Sequence, residues 1–352
     1  MFICTLMLMG MLQAVPDESA ELQRRLRGGG VVQLEGRVHR LSRPLTISAN
    51  TTLRGQPGTV LQFSLAPGQY GLILGHGAHN VRIESLVLSG GGIGLYQGER
   101  YREIAIIQCV ITRPAGTPGV YASISNESLR IERCRFHDIP NQAINLYWVD
   151  RATITGNVFE DVMQGMHLLN PKDDVVVSNN HGRRLHRMGI EIQQLDQTAP
   201  RTRRLVVEGN VFTDWRRPFY DSFGLSVMPM RAEDVRVRRN IVVATYEGPR
   251  GPVNDNGNLF GYGIELGYES GVCEGNLVAG PFWYGIVVSL PKMVVRRNFL
   301  FGLKAGHEIS GQVGGTAVRI HNRIQPTLAH MPSVPSLPDN VPPAYRPQAK
   351  VK

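Results

Sequence analysis

The chain has 352 residues, which is long enough to bury a large core. Its 38 lysines and arginines exceed its 29 aspartates and glutamates, giving a formal charge of +9. This excess favours an anionic partner, such as nucleic acid or an acidic polysaccharide, or serves only solubility. The four cysteines form no Cys-x-x-Cys or Cys/His pattern, which excludes the usual zinc sites.

The first 16 residues have the character of a secretion signal. Residues 2–15 are apolar, with Gln13 and Ala14 near a plausible cleavage point, but no basic residue precedes them. A stretch of about 14 residues is too short to cross a bilayer. We therefore expect a secreted or periplasmic protein without a membrane span.

Residues 17–27 predict a short amphipathic helix. Asp17 or Ser19 can cap its start, and three glycines end it. Leu22 and Leu26 share one face of this helix. A helix here would cover the open end of a sheet, where exposed strand edges invite aggregation. Alternating apolar residues then predict strands in residues 31–41, 44–47 and 52–61.

An asparagine-centred phrase recurs through most of the remaining chain. Its shortest intervals are 22 to 25 residues. Each repeat is therefore one supersecondary unit that buries its apolar face only by stacking on its neighbours. We place the repeated position at Leu86, Cys109, Cys134, Asn157, Asn179, Asn210, Asn240, Asn276, Asn298 and Asn322.

The repeat is built from strands, because short β-branched segments alternate apolar and polar residues. Asparagine tolerates the left-handed backbone of a sharp corner, and stacked asparagines can hydrogen-bond from coil to coil. Cys109 and Cys134 should lie in adjacent coils, about 4.8 Å apart by the strand spacing. A disulfide is then geometrically possible, and the alternative is two buried thiols that fill the asparagine position.

A second phrase, typified by Gly189-Ile190-Glu191-Ile192, lies between the asparagines. Because side chains alternate across a strand, its aliphatic residues point into the coil and the residue between them points to solvent. The predicted outward positions form one column, in coil order Asn145, His167, Glu191, Ser226, Glu265, Val287 and Glu308.

These phrases, together with the opening segments 30–36, 44–47 and 52–55, resemble the right-handed parallel β-helix proteins of the pectin-lyase-like superfamily. The resemblance covers residues 17–325. It implies an all-β, single-stranded right-handed solenoid of about ten to twelve coils with an N-terminal capping helix. The proline-rich residues 326–352 would form a tail that lies along the solenoid or is disordered.

The superfamily contains lyases, polygalacturonases, epimerases, phage tailspikes and noncatalytic surface proteins, so the resemblance is specific for fold rather than for reaction. Its members mostly act on polysaccharides in a groove along one sheet. The resemblance thus implies a polysaccharide partner, and acidic polysaccharides are among the candidates. No nucleic-acid-binding module is visible, and we expect no nucleic-acid partner.

Two outward glutamates, Glu191 and Glu265, are candidates for a catalytic acid and base. They lie two coils apart, so their backbones should be about 9.6 Å apart by twice the strand spacing. Inverting glycosidases place two carboxyls about 6.5 to 9.5 Å apart. His167 lies one coil from Glu191 and could join the catalytic group by tuning the pKa of Glu191, or could bind substrate. Asp221 and Asp255 lie on long loops and could replace either glutamate. The plain alternative is that these residues are polar only because they meet water.

The longest coils contain the extra residues 194–204, 213–222 and 244–261. Long loops on a rigid scaffold commonly carry binding groups, and these should wall the groove beside the column. Aromatic residues here could stack on sugar rings or pack under a loop. The expected substrate-binding residues are Asn145, Tyr147, Gln193, Ser226, Arg187, Arg231, Tyr220 and Trp215.

The sequence therefore favours a carbohydrate-active enzyme that cleaves a polysaccharide by glycoside hydrolysis, with Glu191 and Glu265 as acid and base. The alternatives are a lyase or epimerase that acts on uronates and a noncatalytic glycan-binding or structural β-helix. No compact acidic cluster is visible, so we expect no metal site. We also expect no cofactor, with calcium considered only for a lyase.

Overall fold

The computed structural model describes residues 16–98, 100–290, 293–311, 318–325 and 327–336. Most of the signal-like segment, residues 1–15, and the end of the predicted tail, residues 337–352, lie outside these ranges. In the described ranges, no helix is both long enough and apolar enough to cross a membrane.

The chain winds into a right-handed parallel β-helix of about twelve turns, as the sequence predicted. Most turns contribute one strand to each of three faces, and each strand pairs in parallel with the equivalent strands of the turns before and after it. A strand in such a stack has no hydrogen-bonding edge except at the two ends of the solenoid. The fold therefore depends on register from turn to turn.

The three faces are defined by their strands. The first face contains Gly30–Leu34, Thr51–Gly55, His79–Glu84, Arg100–Ile107, Ser125–Glu132, Val149–Asp150, Thr153–Thr155, Val176–Ser178, Val206–Glu208, Val235–Arg238, Gly271–Glu274, Met293–Arg296 and Val318–Ile320. The second face contains Val38–Leu41, Val60–Phe63, Val87–Ser89, Val110–Thr112, the first parts of Arg135–Tyr147 and Val158–Leu169, and then His181–Arg183, Val211–Arg216, Ile241–Glu247, Leu277–Ala279, Phe299–Phe301 and Arg323–Gln325.

The third face carries the predicted column. It contains Leu45–Ile47, Leu72–Leu74, Ile93–Leu95, Val120–Ala122, the last parts of Arg135–Tyr147 and Val158–Leu169, and then Ile190–Gln193, Leu225–Met228, Phe260–Leu266, Phe282–Val288 and Ile309–Gly311. Outside the three faces, Thr202–Arg203 pairs with Ala232–Glu233, and the described helices are Ser19–Arg27 and the short 3-10 helix Leu328–His330.

A ladder of asparagines runs through the core where the first face turns into the second. Each side-chain amide donates to the Oδ1 atom of the next asparagine at 2.9–3.0 Å. It also donates to a main-chain carbonyl of the turn before, as Asn180 does to Ile154 at 2.9 Å. The buried amides are thereby satisfied. The ladder consists of Asn157, Asn180, Asn210, Asn240, Asn276, Asn298 and Asn322.

The structure corrects two details of the predicted ladder. The rung after Asn157 is Asn180, which is fully buried, and the predicted Asn179 is exposed. The ladder asparagines also do not take the left-handed conformation themselves. The residue before each one does, as in Asn179 with φ 53° and Arg239 with φ 55°. This corner residue turns the chain so that the next side chain points inward.

Two cysteines continue the asparagine positions toward the N-terminus, as predicted. The Cys134 N–H donates to Asn157 Oδ1 at 2.9 Å, and both Cys109 and Cys134 are buried free thiols. Their Sγ atoms lie 3.4 Å from the carbonyl oxygens of Ile107 and Glu132. Burial raises the pKa of the Cys134 thiol. The structure thus agrees with thiols that fill the ladder rather than with a disulfide.

The N-terminal helix Ser19–Arg27 closes one end of the solenoid and begins two residues later than predicted. Asp17 Oδ1 accepts the Ser19 N–H at 3.1 Å. The Gln23 side chain donates to the Thr46 carbonyl at 3.0 Å and accepts the Thr46 N–H at 2.7 Å. Thr46 lies in the first strand of the third face, so this side chain satisfies an otherwise open strand edge.

The described part of the C-terminal tail lies along the second face. Met331 and Val334 pack against a small apolar cluster that includes Val243, Leu277 and Phe301. These three residues come from successive turns, so the tail crosses the stack of strands. It covers apolar surface on a face other than the one that carries the column.

We predict that Asn180→Ala destabilises the protein by about 2–4 kcal/mol, because it leaves the main-chain and side-chain N–H groups of Asn157 without their buried acceptor. Asn179→Gly should change the free energy of unfolding by less than about 0.5 kcal/mol, since glycine accepts a positive φ. Denaturant unfolding of the two variants measures both effects. Equal losses would contradict the assignment of Asn180 to the ladder.

Candidate active site

The outward positions of the third face lie in register across seven turns. Their side chains alternate with buried aliphatic residues such as Ile190 and Ile192. This set, called the outward column below, consists of Tyr121, Asn145, His167, Glu191, Ser226, Glu265 and Val287.

One predicted position of the column is wrong. Val287 pairs with Ser310, and Ile286 pairs with Ile309. Glu308 therefore lies just before the last strand of the third face and outside the outward column. The prediction counted from Gly306, as in the other repeats of the glycine phrase. The strand begins later here, at Ile309, because the preceding loop is longer, so the count placed Glu308 in the column by mistake.

Glu191 lies at the centre of a hydrogen-bonded network and is only 3% exposed. Its Oε2 atom accepts a hydrogen bond from Gln164 Nε2 at 2.7 Å and one from Arg187 Nη1 at 3.1 Å. Its Oε1 atom accepts a hydrogen bond from Gln193 Nε2 at 2.8 Å. A carboxylate at this depth needs such partners to offset its lost hydration.

Arg187 connects two carboxylates. Its Nε atom donates to Asp221 Oδ2 at 2.5 Å, while its Nη1 atom contacts Glu191. Burial opposes the charge of Arg187, but the bonds to Asp221 and Glu191 raise its pKa above the ordinary value. Its main-chain carbonyl accepts the Trp215 indole N–H at 2.8 Å, which fixes the turn that carries it.

His167 lies beside Glu191 in the column, with Nε2 3.7 Å from Glu191 Oε2. Burial lowers the pKa of His167 below its ordinary value of 6.5, although the Glu191 charge acts in the opposite direction. The imidazole is therefore neutral near pH 7 and can accept a proton.

Glu265 has a different environment from Glu191. Burial raises the pKa of Glu265 above the ordinary 4.5, the hydrogen bond from Ser226 lowers it, and the charges of Glu191 and Asp221 raise it further. Ser226 Oγ donates to Glu265 Oε2 at 2.7 Å. The site thus combines one carboxyl that is ion-paired with arginine and one whose protonated form is favoured.

The structure brings Asp221 to this site but not Asp255. Asp255 is exposed in the turn of its loop, and no hydrogen bond or ion pair within the described ranges joins it to either glutamate. Trp215 does not fit the expected sugar-stacking role, because it is fully buried with its ring edge-on to Phe260. Tyr220 remains 49% exposed on the loop that carries Asp221.

The other expected binding residues fall into two groups. Asn145 precedes His167 in the outward column, and Gln193 holds Glu191. Arg231 instead fixes a loop, because its Nη1 atom donates to the Ala199 carbonyl at 3.2 Å. Tyr147 contacts Tyr121 edge-on, with the ring centroids 6.3 Å apart.

Sequence reasoning missed Gln164. Its side chain is fully buried, donates to Glu191 and accepts a hydrogen bond from Arg187 Nη1 at 3.1 Å. The sequence does show a polar residue, Gln164, directly before Gly165. From that position a side-chain amide can contact the outward column residue of the next turn, which is Glu191.

The long loops lie at the two edges of the third face. Parts of the predicted ranges 213–222 and 244–261 belong to strands, and the loops are the remaining residues 217–222 and 248–259. Both loops precede strands of this face and bond to each other, with the Tyr220 N–H donating to the Pro252 carbonyl at 3.2 Å. Residues 194–204 follow a strand of the same face and lie at the opposite edge. The outward column lies between these edges.

A separate cleft of about 740 Å³ opens nearer the second face. Two of its arginines, Arg184 and Arg216, pair with Asp161, so it is not a purely basic surface. Among the described residues, no three histidine, cysteine, aspartate or glutamate side chains cluster closely enough to hold a metal ion.

We predict that Ser226→Ala raises the pKa of Glu265 further, because the variant lacks a hydrogen bond that lowers it. Carboxyl-carbon NMR titration measures this pKa, with the signal assigned by its loss in Glu265→Gln. Ser178→Ala is the matched control, since its hydroxyl pairs with Thr155 on the first face. An unchanged or lowered Glu265 pKa in Ser226→Ala would contradict the proposed geometry.

Comparison with known proteins agrees with this architecture. A family model described as a right-handed β-helix region matches residues 71–219. The structure is similar to the A-module of the mannuronan C-5 epimerase AlgE4 of Azotobacter vinelandii, with a TM-score of 0.62, 16% identity, and coverage of 89% of this chain and 92% of that one. No curated protein sequence matches the chain.

Two further structures are similar in fold. One is a hyperthermoactive exopolygalacturonase from Thermotoga maritima, with a TM-score of 0.55, 12% identity and 88% coverage of both chains. The other is PfbA, a surface adhesin of Streptococcus pneumoniae, with a TM-score of 0.52, 9% identity and 89% coverage of both chains. At such identities the likeness concerns the fold. The chain thus has a right-handed parallel β-helix fold.

Proposed function

We propose that this protein is a carbohydrate-active enzyme that hydrolyses a glycosidic bond of a polysaccharide bound along the third face. The proposal rests on the arrangement of two glutamates with contrasting environments. Glu191 and Glu265 occupy the same outward column two turns apart, and the pKa of Glu265 is raised. Two carboxyls in contrasting environments are the usual basis of acid–base hydrolysis.

In the proposed reaction, protonated Glu265 gives its proton to the oxygen of the leaving sugar. Glu191, paired with Arg187, takes a proton from the water that attacks the sugar carbon. Two turns separate their backbones by about 9.6 Å. Inverting enzymes hold their two carboxyls about 6.5 to 9.5 Å apart with a water molecule between them, so we propose that the reaction inverts that carbon. The water supplies the hydroxyl and hydrogen of the two products.

The substrate side of the proposal rests on the polar groups around the column. Asn145, His167 and Gln193 lie beside Glu191 and would contact sugar hydroxyls there. The formal charge of +9 supports an acidic chain. The similar folds of a mannuronan epimerase and an exopolygalacturonase support a polysaccharide. A polymer of this kind also suits the secreted or periplasmic location that we propose.

A second candidate is a lyase or epimerase reaction on a uronate. It is favoured by the lowered pKa of His167, which makes this residue a candidate base near the Arg187 cation. The base would remove the proton beside the sugar carboxylate, whose charge the arginine would offset. An unsaturated product that absorbs ultraviolet light would indicate a lyase. Deuterium incorporation from solvent without cleavage would indicate an epimerase.

We predict that Glu191→Gln and Glu265→Gln each reduce cleavage by about 100- to 10,000-fold, because each removes one proton-transfer group. The measurement is release of reducing ends from polygalacturonate, polymannuronate, a neutral glucan and a mannan. Glu308→Gln is the matched control, since this glutamate lies outside the outward column. It should retain wild-type activity.

Wild-type activity in either glutamine variant would remove that residue from the reaction. Binding of a polysaccharide by the wild-type protein without any product would instead support the noncatalytic alternative. Thermal unfolding of each variant checks that the fold persists.

The activity should depend on pH through Glu265. The acid must be protonated to act, so kcat/KM should fall as pH rises through the Glu265 pKa, which lies above 4.5. Ser226→Ala should move this alkaline limb to higher pH, because it raises the same pKa further. A limb that stays in place, or moves to lower pH, would contradict the role of Glu265 as the acid.

A further inference from the structure

Four tyrosines cluster on the third face, on the N-terminal side of Glu191. The rings of Tyr70 and Tyr121 stack with centroids 5.8 Å apart, and those of Tyr70 and Tyr96 are tilted with centroids 5.4 Å apart. Tyr147 meets Tyr121 edge-on. We call Tyr70, Tyr96, Tyr121 and Tyr147 the tyrosine cluster.

The tyrosine cluster lies on the outer side of the third face, although Tyr70 is itself buried. Tyr121 belongs to the outward column, between the fully buried Val120 and Ala122. In the turn before, Tyr121 pairs with Gly94, where an added Cβ would come within 2.5 Å of the Tyr96 ring and 3.0 Å of the Tyr70 ring. The rings thus lie close over the strand at Gly94. A glycine is required there because a larger residue would displace them.

The hydroxyl groups of the cluster differ in their hydrogen bonding from the hydroxyl of Tyr101, a buried tyrosine of the core. Tyr101 Oη donates to main-chain carbonyls inside the solenoid. Within the described ranges, none of the four cluster hydroxyls bonds to the protein, and none is sealed from solvent. Burial of the rings raises the pKa of Tyr70, Tyr96 and Tyr147, so their hydroxyls stay protonated at neutral pH.

This combination is suited to a sugar ring. A pyranose offers an apolar C–H face for aromatic stacking and a rim of hydroxyls for hydrogen bonds, and tyrosine supplies both kinds of partner. The cluster continues the same column that contains His167 and Glu191, so one extended chain could contact both.

We propose that the tyrosine cluster binds sugar rings of a polysaccharide chain on the N-terminal side of Glu191 and Glu265. The proposal rests on the polysaccharide substrate proposed above. From Tyr121 to Glu265 the column advances by five turns, or about 24 Å at the ~4.8 Å strand spacing. A ligand must span several sugars to reach both ends, so the cluster selects longer chains.

The test compares two variants of the whole chain. One carries Glu265→Gln, which is used to prevent turnover, and the other carries both Glu265→Gln and Tyr121→Ala. Isothermal titration calorimetry then measures the binding of oligogalacturonates, oligomannuronates, cello-oligosaccharides and manno-oligosaccharides of two to eight sugars. We expect Tyr121→Ala to weaken the binding of the longest bound oligosaccharides about tenfold or more and of the shortest less than about twofold.

Two controls separate ring stacking from damage to the fold. Tyr121→Phe keeps the ring and should retain affinity within about threefold. Phe299→Ala removes an exposed aromatic ring from the second face and should leave affinity unchanged. Thermal unfolding confirms that each variant is folded.

The proposal is overturned if the wild-type protein binds none of these oligosaccharides, or if folded Tyr121→Ala binds all of them with wild-type affinity. It is also overturned if the loss is equal at every chain length. Failure of the hydrolase proposal looks different. In that case Glu265→Gln keeps full activity or no product forms, while the length-dependent effect of Tyr121→Ala on binding persists.

Discussion

Parallel hydrogen bonding between equivalent residues of successive turns is the constraint on which the molecule depends. Because the pairing is in register, a side chain at one position lies beside its counterparts about 4.8 Å away in the turns above and below. Inside the solenoid this register aligns the asparagine amides, such as Asn180 and Asn210, into a satisfied ladder. On the third face it aligns Glu191 and Glu265, which are separated by 74 positions of sequence, into one site.

The electrostatics of the site depend on the position of the Arg187 cation. Arg187 pairs with both Glu191 and Asp221, so a single cation offsets two carboxylates. Glu265 lies within their field. Among the described residues it has no ion-pair partner, and it accepts one hydrogen bond, from the Ser226 hydroxyl. Contrast between the two glutamates thus arises from the position of one arginine. Trp215 and Gln164 contribute from beneath by holding Arg187 in place.

Period and alternation were enough to predict the solenoid, the capping helix and the alignment of Glu191 and Glu265 in one column two turns apart, since these depend on repeated residue types. The errors occurred where one residue decides the outcome. Asn179 and Asn180 are identical in type, and only the left-handed corner distinguishes them. Glu308 was misplaced because an irregular loop changes the distance from glycine to strand. Gln164 acts through a contact between turns that its sequence neighbours do not encode.

The contact between Gln23 and Thr46 has a consequence for how copies of this protein coexist. A solenoid ends in a strand whose main chain matches that of another copy, so an uncovered end would accept a second molecule as if it were the next turn. Here a glutamine amide occupies the N–H and carbonyl of Thr46. The first helix therefore covers the end of the strand stack to which another copy could otherwise add as the next turn.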